Sequence, residues 1–219
     1  MTEKNSSDNP QPDERDGCSA CPRHDHIGRD IIGRDFVRRD FIKWALAAGA
    51  GLSVGTALAD DSAIGNAPPQ ADDRFVFSDG DRANTEIALA DLVVGAAPIM
   101  AWPMEPKTKT VRNGSRLNQV LLLRIAPDEL DEETRAHSAE GVVAYSAICK
   151  HAQCPVTGWI PEKQVLHCYC HDSQYDPRHN AKVVFGPAPR SLPALPVKIA
   201  DGVLLAAGTF LGKVGQRQT

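Results

Sequence analysis

The sequence predicts an all-β domain of antiparallel strands, and three observations carry that prediction. Glycine (17) and proline (16) are plentiful while aromatic residues make up only 5% of the 219 residues, the balance expected of a turn-rich β protein. From residue 71 onward the apolar stretches are short, bounded by turn residues and rich in β-branched side chains, so they read as strands rather than helices. Asp201-Gly202 lies between two such stretches and suits a two-residue hairpin turn, which needs positive φ. The length allows one good core but is short for two.

Taken in order, Arg74-Phe75-Val76-Phe77 is the first predicted strand, and Pro98 to Pro103 gives a second that ends at its proline. Met104 to Arg116 is charged and turn-like, with Asn113-Gly114 as its hairpin signal. Gln119 to Ile125 is the most apolar strand and too continuous to have a wet face. A short helix is expected next. Pro127 sits near its first turn, Asp128, Glu129, Asp131 and Glu132 favour the N-terminal dipole, and Gly141 stops it. Its acidic run reads as a solvated face. Val142 to Ser146, Gln164 to His167 and Lys182 to Phe185 are further strands, and Val197 to Leu205 is the hairpin around Asp201-Gly202.

Two cysteine–histidine runs interrupt this pattern. Cys149-Lys150-His151-Ala152-Gln153-Cys154 is answered by Cys168-Tyr169-Cys170-His171, giving one C-x-H and one C-x-x-H pair with a further cysteine near each. Zinc favours C-x₂₋₄-C or H-x₃₋₅-H spacing and fits this arrangement badly. Ser173 and Tyr175 follow the last histidine by two and four residues, and Gly186-Pro187-Ala188-Pro189 lies further on.

Together these motifs, over roughly residues 140 to 210, resemble Rieske proteins of the type found in cytochrome bc complexes. The resemblance implies one [2Fe–2S] cluster per chain, with Cys149 and Cys168 on one iron and His151 and His171 on the other. It also implies a disulfide between Cys154 and Cys170, a proline loop at Gly186–Pro189, and hydrogen bonds from Ser173 and Tyr175 to cluster or cysteine sulfur. Imidazole in place of thiolate removes negative charge and raises the potential to roughly −150 to +300 mV. The implied fold is an antiparallel β-sandwich base over residues 71–212 with a small cluster-binding subdomain, about 146–190, inserted in it. Two positions depart from the family pattern: Asp172 replaces the usual glycine, and Ala152 stands where quinol-oxidising members tend to carry a large apolar residue. His167 precedes Cys168 on a strand and so faces the other way, which leaves it out of the ligand set. Lys150, between two ligands, is expected to face outward.

The first 59 residues read as targeting rather than fold. Residues 1–36 form a polar, disordered leader that contains Cys18 and Cys21, a chance pair in this reading. Residues 37–59 read as a twin-arginine signal or a membrane anchor. Val37-Arg38-Arg39-Asp40-Phe41-Ile42-Lys43 resembles a twin-arginine motif, and the Ala/Gly-rich run Trp44 to Ala59 follows it. That run is short of the ~17–25 residues of a spanning helix, and Ala57-Leu58-Ala59 fits a cleavage site. A protein folded around a cluster must cross the membrane folded, and a disulfide needs an oxidising compartment, so the periplasmic side of a bacterial inner membrane is expected.

The net charge of −4 argues against a nucleic-acid partner. The expected function is one-electron transfer as the iron–sulfur subunit of a quinol-oxidising cytochrome bc-type complex, with cytochromes b and c as partners and quinol as electron source. The alternative is a Rieske subunit of another periplasmic oxidoreductase, such as an arsenite-oxidase-type enzyme with a molybdopterin subunit. The Gly186–Pro189 loop favours the first; Ala152 and the short apolar run favour the second. No catalytic base or substrate pocket is visible in the sequence, so enzyme activity is expected to belong to a complex.

Overall fold

A computed structural model describes residues 61–215. Contacts divide the chain between Ser53 and Val54, and all described residues fall in the second unit. The leader, the paired Arg38-Arg39, the apolar run to Ala59, Cys18 and Cys21 therefore lie outside the described residues.

Among the described residues, ten strands pair antiparallel into three sheets. The first contains β1 (Arg74–Phe77), β2 (Ile99–Met104), β3 (Val120–Arg124) and β4 (Val142–Ser146) in sequence order. The second contains β5 (Gly158–Ile160), β6 (Val165–Cys168), β7 (Ser173–Asp176) and β8 (Lys182–Phe185). The hairpin of β9 (Val197–Ala200) and β10 (Val203–Ala206) is the third, and it packs β10 against β1 and β9 against β4. Asp201 (φ 52°) and Gly202 (φ 75°) both take positive φ, the backbone of the turn that the sequence signalled.

The apolar run of β3 is dry on both faces because it sits between two cores. Leu121 and Leu123 pack with Tyr145, Leu166, Tyr175 and Leu192 on one side. Val120 and Leu122 pack with Phe75, Ala144, Leu195 and Leu204 on the other. Strand alternation divides them, since successive side chains point to opposite faces. The first of these cores joins the two four-stranded sheets and also holds Cys149 and Cys168.

Three local expectations change. Strand β2 does not end at Pro103 but runs on to Met104. The Arg112 N–H donates to the Pro103 carbonyl at 2.8 Å, so the proline nitrogen also faces that side and the β1 ladder loses no donor. Asn113-Gly114 is not the hairpin turn. The chain reverses over Glu105–Thr110, with Lys109 at φ 58°, while Gly114 is pressed against the one-turn helix α1 (Asp61–Asn66). A Cβ there would lie 2.6 Å from the Asn66 amide oxygen. Finally, the helix expected after Pro127 is split into a 3-10 turn (Pro127–Glu129) and α2 (Glu132–Arg135), capped by the Asp131 side chain. Buried Leu130 takes extended backbone between them to reach the core, which interrupts the helix.

Candidate metal centre

Two loops bring the cysteines and histidines together. The first follows β4 and closes on itself: the Cys149 N–H donates to the Cys154 carbonyl at 2.8 Å, and the Gln153 N–H to the Cys149 carbonyl at 3.1 Å. Gln153 takes φ 60° to make that return, and the Arg116 guanidinium donates to its carbonyl at 2.7 Å. The second loop connects β6 to β7. Cys168 ends one strand, Ser173 begins the next, and the two are paired across the ladder. Tyr169-Cys170-His171-Asp172 therefore form a four-residue connection, with Asp172 at φ 60°, a conformation that glycine or an Asx residue tolerates best.

Cys154 and Cys170 form a disulfide that ties the two loops. Cys149 and Cys168 are free and buried, whereas His171 is exposed and His151 partly so. Thiols thus lie inside and imidazoles toward solvent. The two rings approach edge to face with centroids 4.5 Å apart. Burial pushes the Cys168 thiol up to about 11; the Cys149 thiol beside it adds to the rise, while the N–H groups of Cys170 and His171 oppose it. The sulfurs of Cys154, Cys168 and Cys170 also lie within 4.8 Å of one another. Two of these three are joined, so that grouping reflects the disulfide beside the Cys168 thiol, not a three-thiolate site.

Tyr175 is fully buried, and its hydroxyl sits 3.1 Å from Cys149 Sγ. The Lys150 N–H donates to the same oxygen at 3.2 Å, which leaves the phenolic proton free to point at the sulfur. Ser173 Oγ and His151 Nδ1 are buried without a hydrogen-bond partner. Gly186, at φ 87°, places the proline loop against the second ligand loop. A Cβ there would lie 2.6 Å from the Asp172 carbonyl. Two features contradict or extend the sequence reading. Lys150 does not face outward: it is buried, and its ammonium donates to the Lys213 carbonyl at 2.7 Å. His167 is turned from Cys168 as expected and bonds the Asp172 carboxylate.

The donor set fits a [2Fe–2S] group. Two free thiols are buried, two imidazoles abut on the same pair of loops, and His151 Nδ1 and Ser173 Oγ have no partner, although polar atoms so buried are rarely left unsatisfied. A metal site also explains two thiols side by side in a dry core, because a cation holds them as thiolates.

The Rieske [2Fe–2S] domain family matches residues 107–196. The cytochrome bc1 complex Rieske iron–sulfur subunit of Streptomyces lividans is 35% identical over 137 residues, covering 60% of this chain and 79% of that protein. The subunit of the same name from Streptomyces coelicolor is 35% identical, covering 60% and 38%. That of Mycobacterium tuberculosis is 36% identical over 115 residues, covering 50% and 27%. Among solved structures, the Rieske protein II soluble domain of Sulfolobus acidocaldarius is 20% identical with a TM-score of 0.34, covering 45% of this chain and 68% of that one. The chain belongs to the Rieske [2Fe–2S] family. Its cofactor is a [2Fe–2S] cluster and its chemistry is electron transfer. It spans most of the first relative but well under half of the other two.

Proposed function

We propose that this chain is the iron–sulfur subunit of a cytochrome bc1-type complex, taking single electrons from quinol and passing them to a cytochrome. Cys149 and Cys168 hold one iron, and His151 and His171 the other. The observation that carries this reading is the pair of free buried thiols beside two abutting imidazoles, on loops joined by the Cys154–Cys170 disulfide. The identity of the relatives supports the assignment to a bc1-type complex over a molybdopterin enzyme.

When bound, the cluster supplies a one-electron carrier of raised potential. The protein's own residues set its surroundings. Tyr175 directs its hydroxyl proton at Cys149 sulfur, favouring the extra negative charge of the reduced state. Ser173 offers a second, unspent hydroxyl. The exposed His171, on the same loop as exposed Tyr169, gives a partner an imidazole edge to approach. The domain reading follows: a base over 71–212, with the cluster-binding part at about 146–190 containing the β5–β8 sheet.

Among the described residues no helix is long and apolar enough to cross a membrane. Association with the periplasmic side of the inner membrane therefore rests on residues 37–59, by twin-arginine export with the apolar run as signal or anchor. Affinity purification of the tagged chain from native membranes tests the complex. Cytochrome b and c haem absorbance in the purified material is expected. A molybdopterin subunit in their place would overturn the bc1 assignment.

A further inference from the structure

We propose that a cavity of about 700 Å³ lined by His137, Lys150, Arg190 and Lys213 binds a phosphate-class oxyanion. Its volume is in the range of small-molecule sites. Lys150 is only 8% exposed, and its ammonium meets a carbonyl, that of Lys213, and not a carboxylate. Neither Arg190 nor the Lys213 ammonium has an acidic partner among the described residues. Arg190 and Lys213 are exposed, whereas Lys150 is buried, and a buried cation without a carboxylate partner is costly unless an anion joins it. Acidic residues outnumber basic ones in this chain, 28 to 24, yet a single one, Glu133, lines the cavity.

The acidic lining residue, Glu133, is engaged by the Asn180 amide. His137 is more than nine-tenths buried, lines the same cavity, and has no partner for Nε2. Burial holds its imidazole toward the neutral form, against the pull of Glu133 and Asp131. One ring N–H is then available to an anion. Four oxygens of a phosphate offer enough acceptors for an arginine fork, two ammonium groups and an imidazole that come from different stretches of chain. The bound anion would cross-link the first cysteine–histidine loop, the segment following the proline loop, and residues 211–213. The donors belong to the protein whether or not the cluster is loaded, so the site is independent of the cluster assignment.

Calorimetric titration of the full-length chain with inorganic phosphate, at ionic strength held constant with chloride, tests the proposal. Saturable 1:1 binding is expected, weakened about tenfold or more by Arg190→Gln or Lys213→Gln, as for loss of a charge-assisted hydrogen bond. Phosphate should also raise the melting temperature of the wild type more than that of either variant. Flotation with phosphatidylglycerol and phosphatidylcholine vesicles separates the two sources of the ligand. A preference for the anionic vesicles that Arg190→Gln removes identifies a lipid headgroup; phosphate binding without that preference identifies the free anion. The proposal is overturned by the lack of both, or by binding that neither variant weakens.

Discussion

The buried hydroxyl of Tyr175 illustrates how much one residue sets at this site. With the Lys150 N–H donating to its oxygen, its own proton is free to be donated to a Cys149 thiolate. Tyr175→Phe should keep the iron and lower the midpoint potential, since a donor to sulfur favours the reduced form; an unchanged potential in a voltammetric comparison would count against that role. Asp176 tests electrostatics of a different kind. Burial alone would raise its pKa, but the Arg178 side chain and N–H and the His179 ring hold it below its ordinary value. A depressed folded pKa gives stability that is present above the unfolded value, about 4, and is lost as pH falls through the folded one. Asp176→Asn should thus cost about 1–3 kcal/mol at pH 7, with the gap to the wild type closing in acid. A gap equally large at pH 3 in denaturant titrations would contradict this. The four ligand candidates were legible at this scale because each cysteine–histidine pair sits within one short run of sequence. The burial of Lys150 was not, because its partner Lys213 lies 63 residues away.

Among elements, the two ligand loops depend on each other more than on their strands. The disulfide joins them across 16 residues of sequence, and a loop of that size contributes about 2–5 kcal/mol when a native bridge is kept. Cys154→Ser should leave all four ligand candidates in place yet shed iron at lower temperature, read by the loss of visible absorbance on heating; retention identical to wild type would show that the bridge does not brace the site. The strands were legible where period and composition agreed, as in β1, β4 and β8, and the Asp201-Gly202 turn declared itself through its φ requirement. Asn113-Gly114 misled because glycine there answers a close approach to Asn66, a tertiary demand that turn chemistry does not reveal. The split after Pro127 was hidden for a related reason. Helix signals at Asp131 and the acidic run are local, whereas the pull of Leu130 into the core is not.

Over the whole molecule, two cores share β3 and β4, and one of them runs under the candidate metal centre. Loading the cluster and folding are therefore coupled, so in the proposed twin-arginine route the domain would cross the membrane folded. Replacing Arg38 and Arg39 with lysines should strand iron-loaded protein in the cytoplasm; periplasmic delivery of loaded protein by that variant would refute the twin-arginine reading. In the proposed assignment, two thiols and two imidazoles of one chain hold the cluster. That assignment is tested most directly by pulsed electron paramagnetic resonance of the reduced protein carrying ¹⁵N-labelled histidine. Hyperfine coupling to two histidine nitrogens is expected in the wild type, with one lost in His171→Cys if that variant retains iron. A reduced cluster without histidine nitrogen coupling would contradict the assignment of His151 and His171.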